Sequence, residues 1–253
     1  MRNYRTLTTA TALALLASPA IAELTAAEVW SDWQELMTNY GANISNTGES
    51  MSGEVLTISG VSTDFDVPDG SVSMVMGDIS FEELGDGSVA VRMQEAMPIT
   101  IDITTPDGDE GEVGFTIRQP GASLIASGDA NSLRYDFDYP TFAMGEFTIE
   151  GPEVPENLPI VIDLAMNGMN GFITLSEGDV RTYESASSIA SITMDMSFSD
   201  PEGEGQGTLK LSMNDLAQTA MGAIGKIEMD MSAAEMIMAG MRQSGTATHG
   251  GGG

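Results

Sequence analysis

Cysteine is absent from this chain and basic residues are scarce: 9 Lys and Arg stand against 38 Asp and Glu among 253 residues. Without thiols there is no disulfide framework, thiolate zinc site, redox pair or Cys nucleophile, so packing or bound ions must hold the fold. A formal charge of −29 repels phosphate backbones and anionic headgroups, which excludes nucleic-acid binding. The sole histidine, His249, lies in a Gly-rich terminal run. Ser-His-Asp catalysis needs a histidine held rigidly against its nucleophile, and such a run does not provide one. Also missing are H-E-x-x-H, the G-x-S-x-G elbow and both Gly-rich phosphate loops. Aromatic residues are only 6%, few for a sugar-stacking site, and the 38 acids single out no glycosidase pair. These absences point away from an enzyme.

What is present begins with an export leader. Arg2 and Arg5 precede an apolar run from Leu7 to Ala17, and Ala20-Ile21-Ala22 supplies the small-x-small pattern that signal peptidase cuts. The run is too short for a permanent membrane span. No Cys follows the cut, so no lipoprotein anchor forms. The processed chain, starting at Glu23, keeps about 231 residues, enough for one large domain or two small ones. Removing Arg2 and Arg5 from the nine basic residues leaves seven against 38 acids, a formal charge of −31. Such a surface suits solubility in a salty medium, where screening relieves self-repulsion. The alternative is a sink for divalent cations or basic partners.

Thr25-Ala26-Ala27-Glu28 is a capping box, and Val29, Trp30, Trp33, Leu36, Met37 and Tyr40 follow at helical spacing, so 23–41 reads as one amphipathic helix. Its polar face (Glu28, Asp32, Glu35) is acidic, which favours packing on a core over a membrane surface. From 42 to 213 the period changes to two. Val72, Met74 and Met76, then Ile99, Ile101 and Ile103, then Leu133, Tyr135, Phe137 and Tyr139, alternate with polar residues. Ile160 to Met166 and Ile192 to Phe198 do the same. Asp69-Gly70, Asp86-Gly87, Asp107-Gly108 and Glu177-Gly178 punctuate these runs as turns. The fold class is mainly β, a large antiparallel meander of about ten or eleven strands, as a curved sheet or a sandwich. The three prolines in 151–159 mark either a break between sub-sheets or a long edge connection. Residues 214–242 read as short helices, through Leu216 to Met221 and from a second capping box at Ser232-Ala233-Ala234-Glu235. The tail, 243–253, reads as a flexible linker, an expectation that the natural polypeptide continues.

Methionine is abundant, 19 in all. Met74 with Met76, and Met194 with Met196, stand at i, i+2, which on a strand puts both thioethers on one face. Such pairs suit a Cu(I) site, an adaptable core or an apolar ligand groove, and these four are the groove candidates. The acidic turns at 107–112 and 200–204 suit calcium in ligand type but not in EF-hand spacing.

The mature start Leu24-Thr25-Ala26-Ala27-Glu28-Val29-Trp30-Ser31-Asp32-Trp33, followed by acidic Gly-punctuated strands, resembles an uncharacterised proteobacterial exported family, domain of unknown function 2125. That resemblance implies a secreted or periplasmic β-rich protein, usually longer than this chain, with no established activity and no catalytic residues to carry over. The combined expectation is a non-enzymatic exported protein without cofactor or stable membrane anchor, holding lipid or another apolar ligand on a Met- and Ile-lined sheet face. The runner-up is an outer-membrane β-barrel. On expression in a Gram-negative host, intact mass should show a soluble chain beginning at Glu23; an uncleaved cytoplasmic product would contradict the leader.

Overall fold

The computed structural model describes residues 23–39, 41–67, 70–104, 108–129, 131–152, 160–199, 205–224 and 246–249. The leader, most of 151–159, the acidic turn 200–204 and the proposed helix from Ser232 lie outside the described residues. Among the described residues one helix, α1 (Ala26–Asn39), precedes a single thirteen-stranded antiparallel sheet. Its strands are β1 (Ala42–Ser45), β2 (Gly48–Ser52), β3 (Val55–Val67), β4 (Gly70–Glu83), β5 (Val89–Arg92), β6 (Ala96–Thr104) and β7 (Glu110–Arg118). They continue with β8 (Ser123–Asp129), β9 (Ser132–Glu150), β10 (Ile160–Ser176), β11 (Arg181–Ser199), β12 (Gln206–Ile224) and β13 (Thr246–His249).

β1 and β2 both pair with β3, and from β3 onward neighbouring strands follow chain order with one division. The second half of β4 pairs with β5 and its first half with β6; β5 leads to β8, β6 to β7, and β8 and β7 both rejoin β9. Two stacked strand pairs therefore bridge β4 to β9, an upper one nearer the helix and a lower one. Beyond β9 the sheet is a plain meander to β12.

The capping box forms as the sequence predicts: Thr25 N donates to Glu28 Oε2 at 2.8 Å and Glu28 N to Thr25 Oγ1 at 3.2 Å. Ala26 N donates to Glu83 Oε1 at 2.9 Å, tying the helix start to β4. Trp30 and Trp33 flank Phe81 of β4 at centroid distances of 5.9 and 5.5 Å. On its other side the helix reaches strands five and seven places further on. Asp32 accepts a hydrogen bond from the Tyr135 hydroxyl of β9 at 2.7 Å and pairs with the Arg181 guanidinium of β11. One 14-residue helix thus touches β3, β4, β9 and β11. The upper sheet must curl around it. Val29, Ile58, Val61, Ile79, Phe81, Val89 and Ala126 are completely or almost completely buried there, with Leu133 and Leu175 closing the cluster.

Two sequence expectations are overturned. Residues 214–222 are not a helix: β12 runs unbroken to Ile224 along β11, extending the β region past 213. The tail is not wholly unstructured, since Thr246 to His249 pair with Thr219 to Leu216 as β13. Propensity was overridden in both places by an available strand edge, whose unpaired N–H and C=O groups reward any segment laid along it.

Asp32 and Arg181 are nearly excluded from solvent, with side chains 9% and 6% exposed. Arg181 Nε lies 2.8 Å from Glu177 Oε1, out of hydrogen-bonding alignment, and Nη1 has no partner among the described residues. Removing one member strands the other charge. Asp32→Ala should therefore cost about 3–5 kcal/mol in urea unfolding, and Tyr135→Phe only about 1–2 kcal/mol. Burial, then the Asp32 carboxylate, push the Tyr135 phenol well above its ordinary value of 10.0. The unfolded chain therefore ionises first. The stability contributed by Tyr135 should be complete below pH 10 and decline above it, and Tyr135→Phe should flatten that decline.

Candidate functional site

Below the helix the same sheet face stays apolar; on β6 it is buried at Met97 and Ile99, only 6% and 2% exposed, and from β7 to β12 it is half-buried to exposed. The registers place Met97 beside Ile117, Ile117 beside Met144, Met144 beside Leu164, Leu164 beside Met194, and Met194 beside Leu211. That is one transverse row across β6, β7, β9, β10, β11 and β12 with no polar member. Phe142, Met166, Ile192 and Met213 form a second row, and Ile162, Met196 and Leu209 a third. On β6 and β7, Ile99, Ile101, Val113 and Phe115 extend the surface, with Phe115 stacked on Phe147 at 5.2 Å. The opposite face is polar and acidic: Asp102, Glu112 and Glu150 adjoin across β6, β7 and β9. Asp195 pairs with Lys210 at 2.6 Å on the same side.

A transverse crease keeps this face continuous with the core. On each of β9 to β12 the apolar alternation slips by one residue, from Tyr139 to Phe142, Met166 to Met169, Ile189 to Ile192 and Met213 to Leu216. The slips align. Pro140, Gly168, Ala190 and Asp215 occupy one level by register, and none of the four is bridged in its ladders. Gly168 and Asp215 have φ of 60° and 52°. A one-residue slip on one strand alone would send its apolar set to the wrong face; four together bend the sheet and preserve the face. The ring contacts agree, since Phe137 meets Tyr139 at 6.2 Å and Tyr139 meets Phe142 at 6.1 Å across the crease.

Helix length decides how much is covered. Fourteen residues span roughly 21 Å, whereas the 19 residues of β9, β11 or β12 span roughly 60 Å. Exposure follows: Phe198, Leu209 and Leu211 are 54%, 53% and 44% exposed, against 0% for Phe81 beneath the helix.

The four sequence candidates lie on this sheet but not together. Met194 and Met196 are half-buried within the uncovered rows. Met74, between Thr63 and Ile101, lies at the far end of the face, with β6, β7, β9 and β10 intervening, roughly 24 Å along the sheet. Met76 packs against the helix-side core instead. No single groove unites the two pairs. Sequence reasoning missed Leu209, Leu211 and Met213, whose alternation was visible but adjoined a segment read as helix. It also missed Met97, Ile117 and Met144, whose adjacency depends on long-range register.

Two hollows lie elsewhere. One of about 270 Å³ sits where the upper and lower strand pairs part, near Arg92, Glu95, Gln119 and Tyr139. A shallow one of about 620 Å³ lies by the crease, between Phe172, Ser188 and Thr219. Among the described residues no three His, Cys, Asp or Glu are grouped to hold a metal ion, and no helix is long and apolar enough to cross a membrane.

No family model matches the chain, and neither the curated proteins nor the solved structures contain a significant match.

Gly168 has both a left-handed backbone and a neighbour, since an added Cβ would stand 3.1 Å from the Ala190 Cβ. Gly168→Val should destabilise by about 1–3 kcal/mol in chemical denaturation. Asp215→Gly, which removes a side chain from a left-handed position, should be neutral or stabilise by up to about 1 kcal/mol.

Proposed function

We propose that this is an exported, non-enzymatic envelope protein, periplasmic or secreted, that holds an apolar molecule, with lipid acyl chains the best fit, against the uncovered lower face. The observation that carries this reading is the row Ile117–Met144–Leu164–Met194–Leu211, five half-buried to exposed apolar side chains wide and without a polar interruption, with the buried Met97 closing its β6 end. A contiguous apolar surface of that size is costly in water and marks an interaction site. Unbranched thioethers at the half-buried Met144 and Met194 adapt to a chain of variable shape. The leader and the likeness to an exported family support the location.

An outer-membrane barrel fits less well. Its apolar side chains point outward to lipid, whereas here they share the face that wraps α1. Copper or calcium binding draws less support, because the methionines stand among Ile, Leu and Phe and the acidic residues line the opposite face.

Native mass spectrometry after mild extraction should show co-purifying lipid. Met194→Glu, which sets a carboxylate in the middle of the row, should weaken retention roughly 10- to 100-fold while circular dichroism stays unchanged. A chain that carries no lipid and takes up no fatty acid from vesicles would end the proposal.

A further inference from the structure

The two margins of the sheet are built differently. Along β3 the margin is made by β1 and β2, four and five residues long and separated by a turn. Short, interrupted edge strands of this kind resist pairing with another chain. The β12 margin is protected only in part. β13 covers residues 216–219, and the left-handed Asp215 ends the straight run below it. From 206 to 214 the strand has no outer neighbour among the described residues, no proline and no bulge. Nor does it contain a single acid in a chain with 38. Its one charge, Lys210, is matched by Asp195 of the adjacent strand.

We propose that this margin is a homodimer interface, in which residues 206–214 of a second copy add antiparallel to β12 and join two sheets into one. The sequence of the margin favours a register centred on Leu211, the one that pairs all three of Leu209, Leu211 and Met213 among themselves. Leu209, Leu211 and Met213 share a face, so a symmetric antiparallel pairing must set odd residues opposite odd ones. A two-fold axis at Lys210 would place the two lysines directly opposite, a repulsive pair. An axis at Leu211 instead sets Leu211 against Leu211 and Leu209 against Met213. On the other face it sets Lys210 against Ser212 and Thr208 against Asn214. Every cross-strand pair is then apolar with apolar or polar with neutral polar. The pairing is isologous, so one patch serves both copies. It shelters the apolar side chains left most open at that edge and doubles the width of the lower face. The margin without acids is where a chain of charge −29 can approach its own kind with least repulsion, and added salt strengthens the contact by screening the rest.

The absence of cysteine makes the register directly testable in the processed full-length chain. Light scattering after gel filtration should give twice the chain mass, with the dimer fraction rising with salt. Leu211→Cys should form a covalent dimer under mild oxidation. Leu209→Cys alone should not, but combined with Met213→Cys it should. Leu211→Lys, at a position already 44% exposed, should yield a monomer with an unchanged circular dichroism spectrum. A monomeric mass at every salt and protein concentration, or equal cross-linking of Leu209→Cys and Leu211→Cys, would overturn the proposal. Lipid retention is read separately, so loss of one property leaves the other measurable.

Discussion

The curl of the sheet depends on Asp32. Hydrophobic packing of Trp30 and Trp33 on Phe81 fixes α1 to one side of the sheet, and such contact has little directional preference. The carboxylate supplies direction by drawing in Tyr135 and Arg181 from strands that chain order places far from β4. A buried ion pair is poor at adding net stability, because desolvation offsets most of the Coulombic gain. It is good at penalising alternatives. Any arrangement with β11 swung away from the helix leaves Asp32 without its counter-charge and Arg181 with Glu177 alone. The side of the sheet that carries α1 is thereby fixed, and the lower apolar face lies on that same side.

Much of this was legible in the sequence, and the rest was hidden for definable reasons. Alternation identified β4, β6, β9, β10 and β11 because each has one wet and one dry face, and the Thr25–Glu28 capping box marked the helix start. β12 was misread past Asn214 because the slip at Asp215 moves Leu216 three places from Met213, a helical interval. With the same slip on β9, β10 and β11, the pattern looked broken in four unrelated places. Only register shows that the four breaks form one crease. The candidate face was half visible: Met194 and Met196 belong to it, but Met76 turned to the core at the register shift where Val61 pairs with Gly77 and Ser62 with Val75.

The crease also explains how a single sheet serves two purposes. Above it, aromatic and branched side chains pack in the core cluster beneath the helix. Below it, Met, Ile and Leu face outward from the backbone with nothing bonded across from them. Had the alternation continued without a slip, the lower apolar set would lie on the acidic face, split from the core. A strained row at Gly168 and Asp215 is the local cost of one continuous apolar surface on one side.

Charge placement completes the logic. Asp102, Glu112 and Glu150 adjoin on the outer face, where like charges at cross-strand spacing are unfavourable. Their repulsion is tolerable there because water and salt screen an exposed row. The same carboxylates on the inner face would oppose any apolar occupant. An acidic exterior thus opposes association through the outer face and discourages contacts except where acids are missing. The lower face and the lower β12 margin are two such places among the described residues, and they are contiguous at Leu209, Leu211 and Met213.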